Sequence, residues 1–138
     1  MNRRLVVDSG PLIALFDKSD RYCAAAQDFV RGTHDAMFTT MPVVTEVEYL
    51  LDFSVGAQGD FLEWIFRGGL SVVDFEKNDF LRMKELMEKY RDLPMDFADG
   101  SVVAACEKLD TPCVATLDRD FEIYRFRDRK KFVNAFAA

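Results

Sequence analysis

Two kinds of apolar pattern follow one another along the chain. Short runs rich in β-branched residues predict strands at residues 5–7, 36–39, 70–75 and 113–116, with a last strand near 131–136. Between these runs, apolar residues recur three and four positions apart, as they do on one face of a helix. The residues at which these helices are predicted to begin or to receive their caps are Pro11, Asp20, Pro42, Glu76 and Asp96.

Glycines predict where the helical pattern stops in the middle of the chain. Gly56 and Gly59 are expected to interrupt it, and a further apolar helix around Phe61 is expected to end at Gly68 and Gly69. In the amphipathic stretch 76–90, the residues expected to point inward are Phe80, Met83, Leu86 and Met87.

Strands that alternate with helices predict an α/β domain of three layers, with a mostly parallel central sheet flanked by helices. The length of 138 residues is enough for one hydrophobic core, and no repeat, linker or low-complexity tract divides the chain. We therefore expect a single domain over residues 1–138.

Charge and composition narrow the possible functions. The chain has 18 Lys and Arg against 24 Asp and Glu, and this excess of acid argues against general binding to nucleic acid. The basic residues near the C-terminus are an exception that is either a solvated face or a local contact: Arg119, Arg125, Arg127, Arg129, Lys130 and Lys131.

Cysteine and histidine are too few for several common kinds of site. Three cysteines without C-x-x-C spacing and one histidine, His34, argue against zinc and against a Ser-His or Cys-His mechanism. We expect the cysteines to be reduced thiols. No apolar run is long enough for a secretory signal or a membrane span, which predicts a soluble, cytoplasmic protein without membrane contact.

Acidic residues supply the candidate chemistry. Asp8 and Asp118 each follow a predicted buried strand, and the carboxyl ends of parallel strands share the edge at which ligands gather. Asp96 and Asp99 share the first turn of one predicted helix, either as a cap and its partner or as functional groups. Glu46 and Glu48 lie at opposite edges of an apolar stripe, and the periodicity does not choose between them.

Carboxylates that converge within a few ångströms repel one another unless a cation lies between them. With oxygen ligands alone, that cation is expected to be Mg²⁺ or Mn²⁺. A metal of this kind binds phosphate, activates water and stabilises a leaving oxygen, which is the chemistry of phosphodiester hydrolysis.

Four segments, 7–14, 45–47, 96–99 and 115–121, together resemble the PIN-domain ribonucleases, and most closely the branch of toxins called VapC. By this resemblance Asp8, Glu46, Asp99 and Asp118 match the acidic catalytic quartet, and Glu46 is favoured over Glu48. The metal is expected at Asp8, Asp99 and Asp118. The auxiliary positions implied in the same way are Asp96, Asp120, Ser9 and Thr116.

The resemblance also implies a function and partners. It implies a Mg²⁺- or Mn²⁺-dependent endoribonuclease with an RNA substrate, commonly a homodimer, and inhibited by an antitoxin protein when it acts as a toxin. A stand-alone nuclease of RNA processing is the alternative without an antitoxin.

Two other functional classes are alternatives to the nuclease. A non-catalytic PIN-like interaction domain would use apolar residues such as Trp64 and Phe66 as a dimer surface, although core packing is favoured for them. A phosphate-transfer domain is disfavoured because Ser9 and Gly10 follow Asp8, where a phosphatase of that class has Asp-x-Asp.

Overall fold

A computed structural model describes residues 3–136 and contains a five-stranded sheet with helices in the connections between its strands. The elements of the first half are β1 (Arg4–Val7), α1 (Ser9–Phe16), α2 (Cys23–Gly32), β2 (Ala36–Thr39), α3 (Met41–Leu50) and α4 (Val55–Phe66). Those of the second half are β3 (Ser71–Val72), α5 (Lys77–Lys89), α6 (Phe97–Lys108), β4 (Cys113–Ala115), a 3₁₀ turn (Arg119–Glu122), β5 (Arg125–Phe126), β6 (Lys130–Lys131) and β7 (Val133–Asn134).

The strand order is β3-β2-β1-β4-β7, and every pair in this sheet is parallel. The register sets Val6 beside Phe38 on one side and beside Val114 on the other. β1 and β4 are apolar over almost their whole length because helices cover both faces of such a sheet. The three-layer α/β fold is therefore confirmed, and all five strands end at one edge.

Helix α6 is the most buried helix and packs against α3, α5 and β1. Its buried face consists largely of small residues, and Ser101 and Ala105 are fully buried. The hydroxyl of Thr40 lies 2.7 Å from that of Ser101 and also accepts the backbone N–H of Val43 as the cap of α3. This buried pair links the start of α3 to the helix that carries Asp99.

Several helix boundaries differ from those predicted. α1 begins at Ser9, two residues before Pro11, and α2 begins at Cys23 after a turn in which Asp20 accepts the N–H of Tyr22. Gly56 and Gly59 lie inside α4 and do not interrupt it. Gly68, with φ of +90°, follows the end of this helix as predicted.

The predicted strand at 70–75 is only two residues long; it is β3, at the edge of the sheet, and it pairs with β2 alone. The prediction that Phe80 points inward is wrong. Its side chain is 55% exposed, whereas Met83 and Leu86 on the same helix are buried. The antiparallel pair β5–β6 was not predicted, since strands of two residues carry no periodic signal.

The apolar side chains of α4 divide between the core and the surface. Phe61 is fully buried, and Phe16 contacts it and Trp64 at ring-centroid distances of 5.5 and 5.6 Å. Phe66 is 88% exposed, against the predicted core packing, and Val55 and Leu62 are exposed as well. Within the described residues the three cysteines are free, and none of the helices has the length and apolar character needed to span a membrane.

Replacing Thr40 by Val is expected to lower the free energy of unfolding by about 1–2 kcal/mol. The change keeps the shape of the side chain but removes the cap of α3 and a buried hydrogen bond. Urea denaturation of the Thr40→Val variant measures this loss. Thr45→Val, at an exposed position of the same helix, is the matched control and is expected to change stability by less than about 0.5 kcal/mol.

Candidate active site

The ends of β1 and β4 bring two acidic segments together. Asp8 follows β1 directly, and its backbone N–H donates to the carbonyl of Ala115 at 2.9 Å. The hydroxyl of Thr116 donates to Asp8 Oδ2 at 2.8 Å and accepts the N–H of Asp118 at 2.9 Å. Thr116 therefore holds both acids through one side chain.

Gly10 permits the close approach of these two segments. A Cβ atom at this position would lie 3.1 Å from Cβ of Leu117, which is tighter than an ordinary van der Waals contact. The start of α1 can therefore lie against the loop that carries Asp118.

Asp99 reaches the same place from the first turn of α6. Its backbone N–H donates to Asp96 Oδ1 at 2.8 Å, so Asp96 caps the helix as the sequence suggested. The hydroxyl of Tyr124 donates to Asp99 Oδ2 at 3.2 Å. The carboxylate of Asp99 is half-buried and is oriented by this aromatic residue.

Asp8, Asp99 and Asp118 each present a carboxylate oxygen, and these oxygens all lie within 4.8 Å of one another. Asp8 is only 4% exposed. Within residues 3–136, no Lys or Arg forms an ion pair with any of the three. The structure thus brings together the three predicted metal ligands, whose role stays a prediction.

Burial and the charges of neighbouring acids raise the pKa values of Asp8 and Asp99. Burial raises the pKa of Asp8 to about 6, against the opposing hydrogen bond from Thr116. The pKa of Asp99 is raised to about 8 by burial first and then by the charges of Asp96, Asp8 and Asp118. Burial and the charge of Asp99 also raise the pKa of Tyr124, which keeps its hydroxyl a donor.

Glu46 lies beside this cluster on α3, and one of its carboxylate oxygens accepts a hydrogen bond from the buried Ser9 hydroxyl. The charge of Glu46 contributes to the raised pKa of Asp8, although Glu46 is not one of the three clustered acids. Glu48 makes no such contact, and its buried Oε2 has no hydrogen-bond partner among the described residues. Of the two glutamates that periodicity left open, Glu46 is thus the one beside the cluster.

Asp120 is placed differently from the other predicted acids. Its backbone N–H donates to Asp118 Oδ1 at 2.9 Å, which fixes the orientation of that carboxylate. The side chain of Asp120 makes no hydrogen bond to the cluster. Its contribution to the geometry is therefore made through the main chain.

Two residues of the site were missed by sequence reasoning. One is Tyr124, and the other is Asn134 in β7. Asn134 Oδ1 accepts the N–H of Thr116 at 3.2 Å, and its Nδ2 donates to the carbonyl of Thr116 at 3.1 Å. An amide in a predicted strand is unusual and was the only local signal for Asn134; Tyr124 had none.

A groove of about 910 Å³ adjoins the cluster on the side of Glu46 and Asp96. Its exposed apolar lining includes Tyr49, Phe80 and Phe97. Its charged lining consists of Glu46, Asp74 and Asp96, and no Lys or Arg of the described chain lines it. The groove is therefore apolar and acidic at once.

The donor set of the cluster fits a hard divalent cation. Six oxygens around Mg²⁺ lie at about 2.1 Å from the metal, which separates them by roughly 3–4 Å. The observed spread of up to 4.8 Å is close to this range and requires only small movements of side chains. The absence of His and Cys from the cluster favours Mg²⁺ or Mn²⁺ over zinc.

The chain is similar to known proteins in sequence and in structure. The chain is 25% identical to ribonuclease VapC26 of Mycobacterium tuberculosis (strain ATCC 25618 / H37Rv) over 117 residues, covering 83% of this chain and 87% of that protein. The crystal structure of VapC20 of Mycobacterium tuberculosis, a toxin that cleaves the sarcin-ricin loop, matches with a TM-score of 0.80 and 18% identity. That match covers 91% of this chain and 98% of VapC20.

A second solved structure is VapBC2 of Rickettsia felis bound to a DNA fragment from its promoter. It matches with a TM-score of 0.62 and 14% identity, over 87% of this chain and 92% of the other. The family profile of the PIN domain matches residues 5–127, which include all four predicted catalytic acids. Since this match covers most of the chain, the protein belongs to the PIN-domain family.

Proposed function

We propose that this protein is a metal-dependent endoribonuclease whose active site is formed by Asp8, Glu46, Asp99 and Asp118. The observation that carries the proposal is the cluster of three carboxylate oxygens within 4.8 Å, without any cation from the described chain to neutralise them. The similarity to a ribonuclease of the VapC type supports RNA as the substrate.

Asp8, Asp99 and Asp118 would hold Mg²⁺ or Mn²⁺. When bound, the ion supplies phosphate binding, activation of water and stabilisation of the leaving oxygen. Thr116 orients Asp8, the N–H of Asp120 orients Asp118, and the hydroxyl of Tyr124 orients Asp99. Glu46 lies beside these carboxylates without joining them, which suits a group that positions or deprotonates the attacking water.

The toxin role is the finer part of the proposal. Similarity to a VapBC structure supports a partner antitoxin. The groove beside Glu46 and Asp96 favours a protein segment that carries both apolar and basic side chains, because its lining is apolar and its charges are all negative. A homodimer and a cytoplasmic location also belong to this proposal.

A non-catalytic interaction domain is the alternative that the same groove favours. It requires no clustered acids, whereas the chain buries Asp8 against two other carboxylates at a cost in stability. That arrangement is difficult to explain without a ligand that offsets the repulsion, so we favour the enzyme.

Purified protein is expected to cut a labelled pool of total RNA at discrete positions with Mg²⁺ or Mn²⁺, and not with chelator. Asp99→Asn is expected to lower the rate of cleavage by roughly 100-fold or more. Replacing a residue that only hydrogen-bonds to a metal ligand already lowers metal affinity or activity by 10–100-fold. Gel analysis of end-labelled products measures both effects.

The matched control is Asp60→Asn, which removes an exposed carboxylate on α4 and is expected to cleave at the unaltered rate. Cleavage that survives unchanged in Asp99→Asn would show that the site is elsewhere or that a contaminant is responsible. A folded, antitoxin-free protein that cuts no RNA in the pool would contradict the nuclease function.

Without metal, the stability of the fold is expected to decrease as the pH rises from about 4 to about 8. The pKa values of Asp8 and Asp99 are about 6 and about 8 in the folded state and about 3.9 in an unfolded chain. The folded state therefore binds more protons in this window, and deprotonation costs it stability. Thermal melts in chelator at several pH values measure the trend.

The same thermal melts distinguish the effect of metal binding on stability from the effect of the carboxylate charge. At pH 8 in chelator, Asp99→Asn is expected to be more stable than the natural chain. Mn²⁺ at 100 times its Kd should stabilise the natural chain by about 2.7 kcal/mol and this variant much less. Asp28→Asn, at an exposed position of α2, is the control, and its stability should vary with pH and Mn²⁺ as that of the natural chain does. A natural chain whose stability shows neither the pH trend nor a response to Mn²⁺ would argue against the site.

A further inference from the structure

The side chain of Asn134 continues the pairing of β4 and β7 past the end of β7. This strand ends at Asn134, and the N–H of the next residue, Ala135, donates to the carbonyl of Val114 at 2.7 Å. Beyond that bond, the amide of Asn134 pairs with the main chain of Thr116. It accepts the N–H of Thr116 at 3.2 Å and donates to the carbonyl of Thr116 at 3.1 Å. One side chain thus binds both polar backbone groups of a residue, as a neighbouring strand would.

The amide of Asn134 is itself held in place. Its Oδ1 also accepts the N–H of Phe136 at 3.1 Å. Phe136 is buried, and its ring lies 5.5 Å from that of Phe29 on α2, measured between centroids. The end of β7 is therefore fixed to the domain on both sides of Asn134.

Thr116 links this amide to the carboxylate cluster. Its side chain is buried, and its hydroxyl donates to Asp8 Oδ2 at 2.8 Å and accepts the N–H of Asp118 at 2.9 Å. The hydroxyl is only two bonds from the Cα atom of Thr116, so a shift of this main chain moves both hydrogen bonds. Whatever holds the backbone of Thr116 therefore also holds two of the three clustered acids.

We propose that Asn134 is a positioning residue for the carboxylate cluster, which holds Thr116 so that Thr116 can hold Asp8 and Asp118. This inference rests on the proposed metal site, to which it adds the strand β7. The match to the PIN domain ends at residue 127 and does not include Asn134. Because residues that support metal ligands affect metal affinity, Asn134 is expected to affect the affinity for the metal from outside the cluster.

The chemistry of the side chain explains why an asparagine suits this position. A carboxamide offers a donor and an acceptor at once, whereas a carboxylate has no hydrogen to donate to the carbonyl of Thr116. Asn134 is exposed at the edge of the sheet, so its replacement by Ala opens no cavity in the core. The effect of Asn134→Ala is therefore expected to be local.

The first test measures the Kd for Mn²⁺ by isothermal titration calorimetry. Asn134→Ala is expected to raise this Kd about 10-fold, at the lower end of the effect of residues that support metal ligands. Asn78→Ala removes an exposed amide near the start of α5 and is the matched control. The control is expected to keep the natural Kd.

A double-mutant cycle tests whether Asn134 acts through Thr116. Thr116→Val removes the hydroxyl and is expected to raise the Kd for Mn²⁺ by itself. Adding Asn134→Ala to Thr116→Val is then expected to raise the Kd further by less than about 3-fold, because the two changes interrupt the same contacts. A natural Kd in Asn134→Ala, or the same 10-fold effect in both backgrounds, would overturn the inference.

Hydrogen exchange followed by NMR tests the same inference without metal. In Asn134→Ala, the amides of Thr116 and Asp118 are expected to exchange roughly 10-fold faster, since their hydrogen bonds are lost or weakened, while the amides of β1 keep their natural rates. Unchanged exchange at Thr116 and Asp118, or equal acceleration in β1, would overturn the inference. A natural chain that binds no Mn²⁺ would contradict the proposed metal site, and the exchange rates would then decide the inference alone.

Discussion

The structure around Asp8, Asp99 and Asp118 holds three carboxylates close together against their mutual repulsion. The parallel register of β1 and β4 places two of these acids at one sheet edge, and α6 adds the third. Hydrogen bonds from Thr116 and Tyr124 fix the carboxylates but leave them without a countercharge from the described chain. Only a proton or a cation can offset the repulsion, and for this reason the stability of the fold and the occupancy of the site are linked.

The groove beside the carboxylates combines apolar and acidic side chains, and this combination limits what can occupy it. Glu46, Asp74 and Asp96 line it together with exposed apolar residues, which suits a basic, apolar protein segment. Such a segment would lie against Glu46 and Asp96, so it could cover the carboxylate cluster without contacting the buried Asp8.

Sequence patterns predicted the parallel sheet because its central strands are buried on both faces and therefore form continuous apolar runs. The same apolar runs predicted the positions of Asp8 and Asp118, since each acid comes directly after a run that ends abruptly in the sequence. Periodicity did not separate Glu46 from Glu48; the contact of Glu46 with Ser9, 37 positions away in the sequence, distinguishes them in space. Asn134 was missed for the same reason, because its partner Thr116 lies 18 positions away, directly after β4.

The prediction that failed most plainly concerns Phe80, and its failure has a physical cause. The helical periodicity correctly predicted an apolar face on α5, but the rest of the domain buries only the part of that face that carries Met83 and Leu86. Phe80 instead lines the groove with Tyr49 and Phe97, and all three side chains are exposed to water. Leaving apolar surface in water costs about 25 cal/mol per Å² relative to burying it. Apolar periodicity records which face is to be buried without saying what buries it. An apolar face left open beside the carboxylate cluster is what a surface that binds a partner protein would present.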